Sequence, residues 1–329
     1  MDKNTTRPIL PFTFTYTAQL AAMLKKLKFS IAITTYQAGK VIFISPLDDI
    51  TFTSLPRSFS KPMGMDIVGD KLVIATKDEV ILFENSKDLA KHYPAKQNTY
   101  DTLYIPRITF YTGNVDMHDI AFGTDGIWAI NTSFSCLCKV NGNFNFVPVW
   151  KPPFISALVS EDRCHLNGLV LKEGKPKYVT GLGQTDTAKG WKDQIVTGGF
   201  LMDIETNECL LENLPMPHSP LLYKGDLYLL LSASSELIKV NVQSKTYEVI
   251  IKLDGFCRGL DIQNDLVIIG VSKIRKSSST FEKLSFSETI DFAGLKFFHL
   301  PTKSKNSVIE CEFFFSSIIV TVSNNSGCL

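Results

Sequence analysis

The sequence lacks the long apolar runs and the charge excess that mark several common protein classes. No apolar run reaches the roughly 18 residues that a membrane-spanning helix needs. The formal net charge of +1 leaves no basic surplus for nucleic acid. The first eight residues lack the apolar core of a secretory signal, and the seven cysteines do not have the spacing of a disulfide scaffold. We therefore expect a cytoplasmic protein with no membrane span and no nucleic-acid partner.

Common catalytic motifs are also missing. The chain contains no P-loop, no GxGxxG fingerprint, no GxSxG nucleophile elbow and no WD dipeptide. Cys164 stands beside His165, but adjacent strand residues point to opposite faces, so a thiol–imidazole pair is not expected. Cys136 and Cys138 share one face of a predicted strand, and we interpret them as buried thiols rather than metal ligands.

What the sequence does contain is a strand–turn–strand unit that recurs about every 40 to 55 residues. Each unit has a short apolar strand, a turn of Gly, Asp, Asn or Glu, and a second apolar strand, which is a hairpin signal. The five units begin at Met63, His118, Asn167, Ser219 and Arg258. Further strands follow most of them, and four antiparallel strands at this period are typical of propeller blades.

The repeat predicts an all-β protein with the architecture of a six-bladed β-propeller, and seven blades is the competing prediction. Residues 29–329 form the single propeller domain. Residues 1–28 form an N-terminal extension with a short amphipathic helix from Tyr16 to Lys28. The N-terminal strands lack an innermost partner, which the apolar run from Phe313 to Val322 is placed to supply. An unclosed ring would expose strand edges for assembly.

Propeller topology brings the starts of the innermost strands and the loops between second and third strands to one channel mouth. Three of the five histidines fall in these segments, namely His118, His165 and His218. They predict a transition-metal site for Zn, Fe, Cu, Mn or Ni. A metal-free polar pocket and purely structural histidines are the alternatives. In the aligned units His118 shares the column of Asn167, His218 comes one residue earlier, and His165 comes two earlier.

Other side chains of the same mouth segments complete the predicted site. Arg163 and Arg258 are expected to hold an anionic group and Glu161 or Asp119 to move protons, which makes these four the predicted catalytic residues. The structural alternative is that Arg163 forms an ion pair with Glu161 or Asp162, and Arg258 with a neighbouring acid. The predicted substrate-binding residues are Asn131, Asn167, Trp191, Lys273 and Arg275. Trp191, in a polar loop, is expected to form a lid or a stacking wall.

Two longer motifs carry a resemblance to a known family. They are EDRCHLNG at residues 161–168 and MPHSP at residues 216–220, with further landmarks between residues 57 and 275. On these motifs the chain resembles a bacterial family of conserved hypothetical proteins classed as a domain of unknown function. The resemblance implies one continuous domain and carries no reaction.

These observations support two functional hypotheses of different classes. The first is a metal-dependent enzyme, a hydrolase, lyase or oxidoreductase that acts on a small or peptide-like anionic substrate at the channel mouth. The alternative is a non-enzymatic propeller that binds a peptide or a small anionic ligand at the same mouth. The sequence leaves the oligomeric state open.

Overall fold

The computed structural model describes residues 14–94, 97–272, 293–301, 309–313 and 319–323. The first elements in chain order are β1 (Phe14–Tyr16), α1 (Gln19–Leu27), β2 (Ser30–Thr35), β3 (Lys40–Pro46), β4 (Phe52–Ser58), β5 (Met65–Val68), β6 (Lys71–Ala75), β7 (Glu79–Asn85), α2 (Lys87–Lys91) and β8 (Tyr104–Tyr111). The middle elements are β9 (Met117–Gly123), β10 (Gly126–Asn131), β11 (Cys136–Val140), β12 (Val147–Trp150), β13 (Leu166–Lys172), β14 (Lys175–Gly181), a 3₁₀ helix (Gly190–Gln194), β15 (Gly199–Asp203) and β16 (Cys209–Leu214). The last elements are β17 (Pro217–Tyr223), β18 (Asp226–Leu231), β19 (Glu236–Asn241), β20 (Thr246–Lys252), β21 (Phe256–Gln263), β22 (Leu266–Ser272), β23 (Gly294–His299), β24 (Ile309–Phe313) and β25 (Ile319–Ser323).

The described strands form six antiparallel sheets that stand around a common axis as blades. From the axis outward, blade 1 is β25-β2-β3-β4, blade 2 is β5-β6-β7-β8, blade 3 is β9-β10-β11-β12, blade 4 is β13-β14-β15-β16, blade 5 is β17-β18-β19-β20, and blade 6 is β21-β22-β23-β24-β1. Each innermost strand contacts the innermost strands of both neighbouring blades. The predicted six-bladed propeller is confirmed, and the seven-bladed alternative is wrong.

Blade 1 closes the ring because its innermost strand comes from the far end of the chain. Strand β25 pairs antiparallel with β2, from Ser30 opposite Ser323 to Thr34 opposite Ile319. It then contacts the innermost strands of blades 2 and 6. The C-terminal run therefore supplies the missing strand, as expected. The described strands therefore form a closed ring, which lacks the unclosed edge on which the assembly hypothesis was based.

Burial within a blade falls from the second strand to the rim. The second strands β10, β18 and β22 are buried along nearly their whole length, because neighbouring blades cover both faces of each sheet. Their sequences accordingly read as continuous apolar runs rather than alternating ones. The outermost strands β8 and β20 expose most of their side chains to solvent. The apolar cores thus lie between blades near the axis.

The N-terminal elements pack against the junction where the ring closes. Helix α1 places Leu20 and Leu24 in a cluster with Ile31 of blade 1 and Ile268 of blade 6. The helix ends at Leu27, and the next residue, Lys28, adopts a left-handed conformation. Tyr16, predicted to start the helix, instead lies in β1, the fifth strand of blade 6. Among the described residues no helix is both long and apolar enough to cross a membrane.

The cysteine pair of blade 3 lies in the core, as interpreted from the sequence. Cys136 and Cys138 are fully buried between blades 2 and 3, in a cluster with Val73 and Val80. Burial raises the pKa of Cys136 to about 12. Cys164 is also buried, and desolvation raises its pKa to about 12, so it is no thiolate nucleophile at neutral pH.

Candidate functional site

The innermost strands of blades 3 to 6 share one local geometry at their starts. In each of these blades one residue pairs with the last or the next-to-last residue of the second strand, and these residues are Met117, Leu166, Pro217 and Cys257. The residues that follow them are His118, Asn167, His218 and Arg258. In all four blades the pairing register shifts beside these residues, which is the mark of a β-bulge. Because bulges re-aim side chains, these four side chains form a ring of equivalent positions near the axis.

This geometry corrects the register expected from sequence. His118 and His218 occupy equivalent positions, since Met117 pairs with Asn131 and Pro217 with Leu231. The one-residue offset predicted between the two histidines is therefore absent. His165 comes just before β13 with a left-handed φ of +49°, so it lies outside this ring.

The ring of His218 is held through Nδ1. This atom lies 3.0 Å from the carbonyl oxygen of Met216 and 2.8 Å from the Ser232 hydroxyl. The Ser232 hydroxyl donates its own hydrogen to the carbonyl oxygen of Cys257 in the next blade, at 2.6 Å. A carbonyl oxygen only accepts, so Nδ1 of His218 carries the hydrogen, and in the neutral ring Nε2 carries the lone pair.

His118 repeats the arrangement one hundred residues earlier. Its Nδ1 lies 3.2 Å from the carbonyl oxygen of Asp116 and 2.8 Å from the Thr132 hydroxyl. Thr132 donates at 2.5 Å to the carbonyl oxygen of Leu166 in the next blade. The Nδ1–H tautomer therefore follows for His118 as well. Both hydroxyls also tie one blade to the next.

Both imidazoles are neutral at physiological pH. Desolvation, with a smaller effect from His165 and Arg258, lowers the pKa of His118 to about 4. Desolvation also holds the pKa of His218 well below its usual range, with the Arg258 charge as the next cause. His218 is only 5% exposed, and its Nε2 has no hydrogen-bond partner among the described residues. A buried acceptor without a donor costs free energy that a ligand would recover.

His165 belongs to a second group on the mouth side of the ring. Its Nδ1 donates to the Asp162 carboxylate at 3.0 Å, and Trp191 Nε1 donates to the same carboxylate at 3.1 Å. The rings of His165 and Trp191 stack with centroids 4.3 Å apart. On its other side His165 meets His118 edge to face at 4.7 Å. The short 3₁₀ helix that carries Trp191 therefore packs against His165 on the mouth side of the site.

An apolar cluster covers the mouth end of the site. The cluster contains Trp191, Met216 and Phe256. Phe256 lies 6.3 Å from the ring of His218, centroid to centroid, and 5.1 Å from the guanidinium carbon of Arg258. Trp191 is buried rather than exposed as a free wall, so it takes part in closing this end of the channel.

Two carboxylates occupy the same inner region in blades 2 and 3. Asp66 accepts the backbone N–H of Phe122 at 2.8 Å, and Asp119 accepts that of Leu169 at 2.8 Å. Each bond joins one blade to the next. Desolvation raises the pKa of Asp119 to about 7, and it raises the pKa of Asp66 as well.

These residues line one axial cavity of about 360 Å³. Its polar lining consists of Asp66, His118, Asp119, Asn167, His218, Ser219 and Arg258. Its apolar lining includes Met63, Met65, Phe122, Leu171, Leu221 and Leu260. All five innermost strands whose side chains are described contribute. The volume falls within the range of small-molecule sites, about 300 to 1,000 Å³.

A second depression of about 840 Å³ lies off the axis, between the turns of blades 4 and 5. Two of its charged side chains, Lys239 and Asp226, pair with each other at 2.7 Å and remain partly exposed. Such exposed pairs contribute little to specific recognition. The axial cavity, with its buried polar groups, is the better candidate site.

Several predicted site residues do not line the axial cavity. Arg163 donates to Glu161 at 2.8 Å and to Asp186 at 2.7 Å, so the alternative ion pair forms. Asn131 is buried and accepts the backbone N–H of Phe134, a turn bond. Lys273 and Arg275 lie outside the described residues. Of the predicted catalytic set, the cavity brings together Asp119 and Arg258.

The metal-dependent enzyme hypothesis is wrong. In the part of the chain that the structure describes, no group of three or more His, Cys, Asp or Glu side chains is placed to hold a metal ion. The rings of His118 and His165 meet edge to face, and only His118 and His218 line the cavity. The three imidazoles are near one another, but they do not converge as ligands of one metal.

Sequence reasoning did not identify Asp66 or the two positioning hydroxyls. The signal for the hydroxyls was present, because Thr132 follows His118 and Ser232 follows His218 by the same 14 residues. Asp66 carries no comparable signal, since an acidic residue inside an apolar strand resembles many surface positions.

Comparison with known proteins agrees with this architecture. No curated protein matches the chain significantly. A chain from a solved structure titled "Crystal structure of Nidogen/Laminin Complex" superposes with a TM-score of 0.54 at 10% identity, over 91% of this chain and 100% of that chain. At that identity the likeness shows the propeller fold alone. The family described as "Domain of unknown function (DUF4915)" matches residues 18–321. The chain therefore belongs to this family of unknown function.

Proposed function

We propose that this protein is a non-enzymatic binding module that takes a small anionic ligand into the axial cavity. The observation that carries the proposal is the placement of Arg258 with two neutral imidazoles, the buried His218 and the partly buried His118, in a cavity of about 360 Å³. The Arg258 cation attracts the anionic group, and the Nε2 atoms of the two imidazoles accept hydrogen bonds from donor groups elsewhere on the ligand. This combination is the usual composition of a small-molecule site.

Arg258 is suited to this role by position and by chemistry. It lies in the β-bulge of blade 6 and stacks on Phe256, with 5.1 Å between the guanidinium carbon and the ring centroid. Stacking orients the planar guanidinium, whose paired N–H groups match a carboxylate or phosphate. Its charge also lowers the pKa of His118 and His218, so its field reaches across the cavity.

The test compares anion binding by two arginine variants. Arg258→Met keeps much of the side-chain volume and removes the charge, whereas Arg107→Met removes an exposed arginine of the outermost strand β8. Titration calorimetry with a panel of small carboxylates and phosphates should detect binding to wild type. Charge-assisted hydrogen bonds are worth about 1.5 to 3 kcal/mol, so we expect roughly 10-fold to 150-fold weaker binding by Arg258→Met.

Two results would count against the proposal. One is that no member of the panel binds wild-type protein at millimolar concentration. The other is that Arg258→Met and Arg107→Met bind the same anion with equal affinity, because the anion would then sit elsewhere on the surface.

A further inference from the structure

We infer that the ligand of the axial cavity is a zwitterion, an amino acid or a close relative that carries an ammonium group near its carboxylate. The inference rests on the proposed function, since it requires an anionic group at Arg258. It adds a cationic group to the ligand and assigns that group to the opposite side of the axis.

The first argument is the imbalance between donors and acceptors in the cavity. Arg258 contributes a charged donor. In contrast, His118 and His218 have Nδ1 engaged and therefore offer Nε2 as an acceptor. Asp66 and Asp119 add two carboxylates. A simple anion at Arg258 would leave the acceptors facing its negative charge, whereas an ammonium group brings three donors to them.

The second argument is the arrangement of charge around the axis. Arg258 lies in blade 6, and Asp119 lies in blade 3, directly across a six-bladed ring. Asp66 in blade 2 stands across from His218 in blade 5. The cavity is therefore dipolar, with its cation on one side and its acids on the other. A ligand with separated charges of both signs complements such a cavity.

The third argument is the state of Asp119. Its two oxygens accept the backbone N–H groups of Ile120 and Leu169, yet desolvation still raises its pKa to about 7. When a carboxyl group resists ionisation for lack of solvent, a nearby cation stabilises its ionised form. An ammonium group beside Asp119 would favour the carboxylate and form a charge-assisted hydrogen bond.

The remaining lining indicates the rest of the ligand. Met63, Met65, Phe122, Leu171 and Leu221 present apolar surface to the same cavity. Methionine side chains adapt their shape to a range of apolar groups. An amino acid with an apolar side chain fits the Arg258 cation, the acidic and acceptor groups across the axis, and this apolar surface.

The experiment uses two matched sets of three compounds with the full-length protein. One set is L-phenylalanine, 3-phenylpropionate and 2-phenylethylamine, and the other is L-leucine, 4-methylpentanoate and 3-methylbutylamine. Within each set the second compound lacks the amine and the third lacks the carboxylate. Calorimetry should show at least one amino acid binding about tenfold or more tightly than both of its analogues.

Two variants locate the effect. Asp119→Asn should weaken binding of the amino acid about tenfold while leaving the amine-free analogue unchanged or slightly tighter. Asp88→Asn, which changes an exposed acid of α2, is the matched control and should alter neither. Circular dichroism and a thermal melt establish that Asp119→Asn is folded.

The outcomes separate this inference from the proposed function. If the amine-free acids bind as tightly as the amino acids, the zwitterion is wrong while anion binding stands. If only the amines bind, both proposals are wrong. If none of the six compounds binds, the inference is overturned, and the anion panel with Arg258→Met still decides the proposed function.

Discussion

The Ser232 hydroxyl offers a direct test of how the blades are joined. It is fully buried, it donates to the carbonyl oxygen of Cys257 in blade 6 at 2.6 Å, and it accepts from His218 Nδ1 at 2.8 Å. Ser232→Ala removes one oxygen atom and no carbon, so the change leaves little cavity. What it removes is the inter-blade hydrogen bond.

The expected cost follows from the groups left behind. His218 Nδ1 keeps the carbonyl oxygen of Met216 at 3.0 Å, so its tautomer persists. The Cys257 carbonyl loses a buried donor, which costs about 1 to 3 kcal/mol. We therefore expect Ser232→Ala to lower the free energy of unfolding by that amount. For a chain of this size the melting temperature should fall by roughly 2 °C per kcal/mol.

The assay is urea denaturation of wild type, Ser232→Ala and Ser244→Ala. Ser244 lies in the exposed turn between β19 and β20 and bonds only at the surface, so its loss should stay within about 0.5 kcal/mol. Thr132→Val tests the equivalent hydroxyl of blade 3 and should cost a similar amount. Equal stability of Ser232→Ala and Ser244→Ala would refute the reasoning that these hydroxyls join the blades.

Three further predictions concern titration and packing. The folded pKa of His118, about 4, lies below the ordinary 6.5. Its contribution to the free energy of unfolding is therefore complete above pH 6.5 and is lost as the pH falls toward 4. Urea denaturation at pH 7 and pH 4 should show that the free energy of unfolding of His118→Gln falls by about 3 kcal/mol less than that of wild type. An equal fall in both proteins would contradict this. The folded pKa of Asp119, about 7, lies above its ordinary value, so its contribution to the free energy of unfolding is lost as the pH rises through 7. The stability of wild type relative to Asp119→Asn should therefore fall between pH 5 and pH 8. A stability difference that stays constant over this range would contradict the prediction. A Cβ at Gly168 would lie 2.4 Å from Pro220 Cδ, so Gly168→Ala should lower the free energy of unfolding by about 1 to 3 kcal/mol. A Cβ at Gly142 would have no atom within 4 Å, so Gly142→Ala should leave stability unchanged. Equal melting temperatures of the two variants would contradict this.

Much of the fold follows from local sequence pattern. The second strands are continuous apolar runs, as in Leu227 to Leu231, because both faces are covered by neighbouring blades. The turns between first and second strands carry residues that accept positive φ, such as Gly225 and Asn264. The recurrence of these two features predicts blades. The five units, together with the N-terminal strands that lack an innermost partner, predict six.

The candidate site was predicted only in part. The sequence placed His118, His218, Asp119 and Arg258 at one mouth, because equivalent strand positions meet near a propeller axis. It left open whether Arg163 pairs with nearby acids or with a ligand, since that choice depends on where the Asp186 loop lies. Side chains that reach from one blade to the next leave no local pattern in sequence.

Local pattern thus determined the strands, their order and the side of the propeller on which polar residues gather. Tertiary structure alone decided which atoms meet there. A bulge of one residue re-aims a side chain, so the equivalence of His118 and His218 appeared only when the strands were paired. Tautomer, pKa and the dipolar lining of the cavity depend on groups from blades far apart in the chain. Their electrostatic effects act through space, and sequence distance does not encode them.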